Sequence, residues 1–466
     1  MSLANTNETS EWPESWRTLS HAIRTGRYTD PQFTKLEYEK LWYQTWQFAA
    51  RLDEIPNKGD YTTYDIGKQS AMLVRVGEDT VKAYYNACPH RGTTLSEGCG
   101  HFEKDQIMCP FHGWKWDLEG QNKFIMEQQE FKDGNLLASD VKLREVHCEV
   151  FAGFVFISFA KEPQSFEEYI APVAKYIEGL GLSDMHHYWW RRMEGPANWK
   201  VAQEAFFETY HVPATHPQLD PVGAKVVYED VHTPGAPLQH EHVIYEGLEG
   251  GHGRFYAGEK PMSSTDANAG EERLEFMIEH MQHLVHEMDA MVLQGDVDVA
   301  TSLRGKPLPE GSSYGAEFIK AIYAKAAAEE RPMPAPTPEN AAMWGGEVFV
   351  FPNLLILPNL GNVMIYRIRP NGDSPDSCIF EIFSTTTYPK LAEIPRAEVQ
   401  HVTDYNDPEQ LLLIPRQDFA NVPRIQRGLH SNGYRQIYLA KHHEVMILNM
   451  HQELDRYLGA PEAIAK

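Results

Sequence analysis

CPHRGTTLSEGCGHFEKDQIMCPFHGW, residues 88–114, sets Cys88 and His90 two positions apart and, after a long gap, Cys109 and His112 three apart. Thiolate and imidazole are ligands for zinc and for iron–sulfur clusters, and C-x-x-H spacing alone does not separate the two. The setting does. Each half, CPHRG and CPFHGW, carries the Pro and Gly of a tight turn, so each reads as a loop that offers one Cys and one His. A two-iron, two-sulfide cluster held by two Cys on one iron and two His on the other needs two loops of that kind.

Around this stretch, from Trp46 to about Ala160, the text is strand-like. YTTYDI, AMLVRV, VKAYYNA and FAGFVFISF are short and β-branched or aromatic, and NKGD, GED and EGQ punctuate them. That pattern predicts a compact antiparallel β domain. Upstream, Phe33, Leu36, Tyr38, Leu41 and Trp42 approach a 3.6-residue period, predicting helix over about Thr18 to Trp46. Downstream, helices are expected from about Asn198 to Tyr210, through EERLEFMIEHMQHLVHEMDAMV and through AEFIKAIYAKAAAEE. Strands are expected at EVFVFPNLLILP, VMIYRIRP and CIFEIFSTTTY. The Pro-rich run 331–340 reads as a surface connection between the helical insert and the sheet. No internal repeat is present.

The 466 residues exceed the usual limit of one core, which predicts about two domains. A 42% hydrophobic content with ten Trp, 22 Tyr and 21 Phe can fill them. The net charge of −24 argues against nucleic acid and anionic membranes as partners. The start lacks a secretory pattern, and no apolar run approaches a membrane span, so a cytoplasmic location is the default expectation. Five cysteines are too few and too scattered for a disulfide framework. Cys99, Cys148 and Cys378 read as reduced thiols. GLEGGHGRFYAGE, the nearest approach to a nucleotide loop, has neither the glycine spacing nor the strand–turn–helix context of a dinucleotide site. Any electrons should therefore arrive from another protein.

A second constellation follows in NWKVAQEAFFETYHVPATHP. Glu204, Glu208 and His211 fall at i, i+4 and i+7, which predicts one helix face, and Pro213 then ends the helix and delivers His216 from the turn beyond. Either histidine alone would pass for a C-terminal helix cap. Together, with a carboxylate from elsewhere, they form the two-His, one-carboxylate set that leaves positions open on ferrous iron. The histidines at 280, 283 and 286 have helical metal spacing but no accompanying ligands, and read as a solvated or partly buried face. KHHEVMILNMHQELDRYL reads as a packing helix.

Both motifs in one chain, in this order and about a hundred residues apart, resemble the Rieske non-haem iron ring-hydroxylating oxygenases, specifically the terminal oxygenase (alpha) subunit. The resemblance implies an α+β chain: an antiparallel β Rieske domain at 46–164, and a catalytic domain from 1–45 and 165–466 whose central antiparallel sheet is flanked by helices. It implies a [2Fe-2S] cluster on Cys88, His90, Cys109 and His112, and mononuclear iron on His211, His216 and Asp418. Asp418, in LLLIPRQDFANVPRIQRG, matches the family acid that follows an apolar run and precedes Q-x-G; the rivals Asp404 and Asp407 lie in a loop-like segment, and a helix N-cap is the bland reading of Asp418. Glu208 matches the acid that bridges a cluster histidine of one subunit to an iron histidine of its neighbour. The family acid there is most often Asp, and Glu resembles a subset that includes oxygenases of quaternary amines. Ala205 departs from the Asn of many members and is assigned no role. The resemblance further implies a head-to-tail homotrimer, with or without accessory beta subunits, fed by a ferredoxin or an NAD(P)H-dependent reductase. The expected activity is O2-dependent hydroxylation of an aromatic or other apolar substrate. The alternatives are N- or O-demethylation or attack on quaternary amines, and a non-catalytic Rieske electron-transfer protein.

Overall fold

The computed structural model describes residues 12–229, 242–258, 270–335 and 337–461. Of the stretches read above, the first eleven residues and parts of the helical insert, 259–269 and 336, lie outside these.

The β domain is built on a seven-stranded antiparallel sheet in the order Gln47–Arg51, Phe154–Ser158, Glu145–Phe151, Val81–Tyr85, Gln69–Arg75, Asp60–Ile66, Cys99–His101. A three-stranded sheet, Asn122–Phe124, Lys115–Asp117, Gln106–Met108, carries the second Cys–His loop at its end. Trp116, Ile107, Leu95 and Trp114 pack under both loops in a small core of their own.

The second domain centres on an eight-stranded sheet ordered Val243–Gly247, Gly253–Ala257, Glu347–Val350, Leu354–Asn359, Asn362–Pro370, Cys378–Thr386, His186–Gly195, Val399–His401. All pairs are antiparallel except the last, which is parallel. Strand alternation divides its residues between two cores. Tyr366, Ile368, Phe380 and Ile382 face the helices Trp199–Glu204, Leu413–Leu429 and Val445–Leu458. Val363, Ile365 and Phe383 face the other way, onto helix Phe166–Ile177 and onto Phe48, Phe154 and Phe156 of the first domain. The second face of the sheet is thus shared between a helix and the neighbouring domain.

Polar rivets cross that shared face. Arg367 donates to both carboxylate oxygens of Glu381 at 2.9 Å and to the backbone carbonyl of Ala49. Arg369 also pairs with Glu381, and it donates to the Asp65 carbonyl at 3.2 Å. Asn353 donates to the Phe48 carbonyl at 3.0 Å. The two arginines hold the Glu381 carboxyl far below the usual carboxylate range despite its burial.

Two expectations need correction. The predicted helix over 18–46 begins only at Gly26, because Thr18–Leu19 pairs with Ala22–Arg24, which pairs in turn with Gln436–Tyr438. The helix expected to run from 198 to 210 stops at Glu204. Beyond that end, adjacent Phe206 and Phe207 both pack on the sheet, onto Tyr366 at 4.3 Å and Phe349 at 4.5 Å. The described residues of the Pro-rich connection are half-buried or exposed, except that Arg331 at its start is buried, with its guanidinium over the Tyr388 ring.

The N-W-K triplet has a physical reason. Asn198 accepts the Lys200 N–H as helix cap and donates to the carbonyls of Tyr28 and Pro375. Trp199 and Lys200 both reach Glu37, Lys200 Nζ at 2.6 Å in a fully buried ion pair. Lys200→Met would strand the Glu37 charge, so we expect a loss of about 3–5 kcal/mol, read as a lowered urea midpoint. The double variant with Glu37→Gln should recover part of it.

Candidate active site

The two cluster loops repeat one backbone design. In each, the Cys carbonyl accepts from the Gly four residues on, Gly92 at 2.9 Å and Gly113 at 3.1 Å. The Cys N–H in turn donates to the residue five on, Thr93 or Trp114, at 2.8 Å. Both glycines have positive φ, 78° and 69°, which is why the loops close on Gly. Cys88 and Cys109 are buried and unoxidised, while His90 and His112 lie at the rim with ring centroids 4.6 Å apart. Trp114 stacks on His90 at 4.8 Å and 6°. Burial, with the Cys109 thiol alongside, pushes the Cys88 thiol up to about 11. Burial and the charges of His112 and Arg91 lower His90.

A single tetrahedral zinc draws its donors to within about 3.3–3.8 Å of each other. Among the described residues, the group gathered within 4.8 Å lies elsewhere. The four loop donors form instead a thiol pair and an imidazole pair, the division a two-iron cluster with Cys on one iron and His on the other requires.

That gathered group is His211, His216 and Asp418. His211 stands at the entry and His216 at the exit of the one-turn helix Val212–Thr215, so the Pro213 turn places both rings on one side, centroids 5.4 Å apart. Asp418 lies in the second turn of helix Leu413–Leu429, whose cap is Leu412, so it is no N-cap. Its Oδ1 is 2.9 Å from His216 Nε2 and 3.7 Å from His211 Nε2. Asp404 and Asp407 cap their own loop, at Asn406 and Glu409.

The far sides of both rings are pinned. A carboxylate can only accept, so His211 Nδ1–H donates to Glu208 Oε1 at 2.9 Å, and Glu208 Oε2 accepts the His211 backbone N–H at 2.9 Å. His216 Nδ1–H donates to Gln417 Oε1 at 2.9 Å. With Nδ1–H committed in this way, the neutral tautomer of each ring presents the lone pair of Nε2 to the Asp418 carboxylate. Acceptors facing acceptors repel unless a cation lies between them, so this donor set fits a divalent metal. Burial opposes charge on His211, but the hydrogen bond and charge of Glu208, with Asp418 beyond, outweigh it and raise its pKa.

The structure thus brings together His211, His216, Asp418 and Glu208. It separates Glu204, which turns away to Tyr28 and His451, because the helix ends before Glu208. Burial pushes the Glu204 carboxyl up to about 8. Sequence reading passed over Gln417, although it adjoins Asp418, and Gln218, which donates to Gln417 and to Glu287, both at 2.9 Å. Glu287 holds His283 at 3.0 Å, so the half-buried 280–286 face connects to the site through hydrogen bonds. The glycine run read as the nearest nucleotide loop is a hairpin connection between paired strands.

Residues 182–460 match the model of the ring hydroxylating alpha subunit catalytic domain, and residues 45–139 match the Rieske [2Fe-2S] domain. The chain belongs to the ring-hydroxylating alpha-subunit family. Among curated proteins it is 30% identical over 217 residues to the glycine betaine monooxygenase oxygenase subunit of Chromohalobacter salexigens, covering 46% of this chain and 47% of that one. It is 32% identical over 192 residues to the carnitine monooxygenase oxygenase subunit of Escherichia coli, covering 41% and 50%. The chain therefore spans about half the length of the curated relatives it matches. A solved quaternary ammonium Rieske monooxygenase superposes with a TM-score of 0.62 at 17% identity, over 96% of this chain and 99% of that one, a likeness of fold. No helix among the described residues is long and apolar enough to cross a membrane.

Proposed function

We propose that this chain is the terminal oxygenase of a multicomponent Rieske system and that its substrate is a small quaternary amine. The observation that carries the reading is the His211–His216–Asp418 group, its donor atoms within 4.8 Å and both imidazoles pinned from behind, in one chain with a paired-loop cluster site. Cys88, Cys109, His90 and His112 would hold the cluster, and the three-residue group would hold ferrous iron. Together the two metal centres supply electron storage and O2 activation. The protein's part is positional. Glu208 holds the Nδ1 proton of His211 and, through the acceptor capacity of its carboxylate, can receive a histidine N–H from a neighbouring subunit's cluster. Gln417 holds the Nδ1 proton of His216.

Two electrons, two protons and O2 convert a C–H of the substrate to C–OH and release one water. Electrons would come from a separate reductase or ferredoxin. Of the substrate readings, the quaternary amine is better supported than the arene, because the curated relatives named above are glycine betaine and carnitine monooxygenase subunits, and Glu rather than Asp stands at 208.

Anaerobic purification with iron and sulfide assay should give about three irons and two sulfides per chain. Turnover with a surrogate reductase against glycine betaine, choline, L-carnitine and an arene panel should consume O2 only with the amines. Two irons with turnover unchanged in His211→Ala would exclude the three-residue iron site, and no turnover of any panel member by the fully loaded protein would exclude the enzyme reading. Oxidation of arenes alone would exclude the amine.

A further inference from the structure

Strand Glu347–Val350 opens with an acid in an otherwise apolar sequence, EVFV, and every residue of it is buried. Glu347 is fully inaccessible, and neither carboxylate oxygen has a hydrogen-bond partner among the described residues. The other buried acids of this sheet region are matched: Glu381 by two arginines, Asp296 by Asn362 and Tyr388. Burial favours the neutral form of an unmatched carboxyl, so an anion at this position needs something else to provide the countercharge.

Its surroundings say what that something is. Strand register sets Tyr245 opposite Phe255 and Phe255 opposite Glu347, so the three side chains form one row on one face. Phe349, two residues on, shares that face and packs against Phe207. Tyr366 stacks on Phe206 on the same side of the sheet. The row is tied to the candidate iron site, because the Tyr245 hydroxyl lies 2.6 Å from Thr209 Oγ1, between Glu208 and His211 in the chain. Burial raises the Glu347 pKa, with the Glu208 charge adding to it, and Tyr366 responds to both Asp418 and Glu347. The Glu347 carboxyl therefore sits within electrostatic reach of Glu208, and Tyr366 lies between it and Asp418 in the same sense.

We propose that Glu347 is the specificity-determining countercharge of the substrate site, set in an aromatic wall to select an organic cation over a neutral molecule of the same shape. This rests on the quaternary-amine reading above and assigns its recognition to one residue. A permethylated ammonium has no N–H to donate. It is bound by a nearby negative charge and by aromatic faces, which accounts for a carboxylate with aromatic neighbours and no fixed donor. A neutral arene would leave Glu347 as uncompensated as before.

The test is equilibrium binding, by calorimetry on the anaerobic, metal-loaded protein, of choline, glycine betaine and L-carnitine, each against the carbon isostere in which tert-butyl replaces trimethylammonium. The wild type should bind at least one cation about tenfold or more tighter than its isostere. In Glu347→Gln the preference should shrink to within about threefold through weaker cation binding, with isostere affinity unchanged, and Glu347→Asp should restore part of it. Persistence of the full preference in Glu347→Gln overturns the proposal and leaves the amine reading standing. Equal wild-type affinity for every cation and its isostere overturns it without any variant, which covers the case in which Glu347→Gln loses its fold or its cluster absorbance. The amine reading fails separately, if none of the three cations is oxidised.

Discussion

In Asp418→Ala the protein should keep its cluster and lose one iron in three, and substrate oxidation should fall on the order of 10³-fold or more. The two-His, one-carboxylate set depends on its single anion. With Asp418 gone, the Nε2 lone pairs of His211 and His216 face only each other across the gap that Asp418 Oδ1 closes at 2.9 and 3.7 Å. The helix should survive, because Asp418 neither caps it nor pairs with a cation on it. Colorimetric iron per chain, the visible spectrum of the cluster and O2 uptake read the three parts separately. Full activity at two irons per chain would rule out this centre.

Glu208→Gln should cut steady-state turnover on the order of 10²-fold while the iron content stays at wild-type level. The amide oxygen can still accept from His211 Nδ1–H, so the ring keeps its tautomer and its aim. What is lost is the anion that can hold two imidazole N–H groups at once, one on each side. A reduced cluster exposed to O2 and substrate should then stay reduced over the time in which the wild-type cluster bleaches and recovers. Stopped-flow absorbance follows this directly, and reoxidation at the wild-type rate would remove Glu208 from the electron path. His211 should also lose part of its raised proton affinity, because Glu208 provides the hydrogen bond and charge that outweigh burial.

The legible parts of this molecule were those whose chemistry is local. Cys88 to His112 carry their turns with them, so the loops could be read from Pro, Gly and spacing. Pro213 announced the break that turns His211 and His216 toward each other. The sheet strands from Glu347 to Thr386 showed in their β-branched and aromatic runs. Less legible was whatever a distant segment decides. Helix periodicity carried the 198–210 expectation six residues too far because Tyr366 and Phe349, more than a hundred residues away, claim adjacent phenylalanines. The strand at 22–24 finds its long-range partner in Gln436–Tyr438, which comes back from more than four hundred residues away to pair with it. Gln417 and Glu347 were visible as letters, a glutamine beside the matched acid and a charge heading an apolar strand. Their importance comes from burial and from what faces them, and neither is written in spacing.

The arginine rivets at the back of the large sheet bear on timing. Arg367 and Arg369 clasp Glu381 and at the same time hold carbonyls at Ala49 and Asp65 in the cluster domain, over a core to which Phe48 and Phe383 both contribute. Among the described residues these contacts fasten the two halves to each other directly. Under the proposed function, coordinating electron delivery with substrate arrival would then fall to small local movements around residues 204–216, or to the seam with a second copy of the chain.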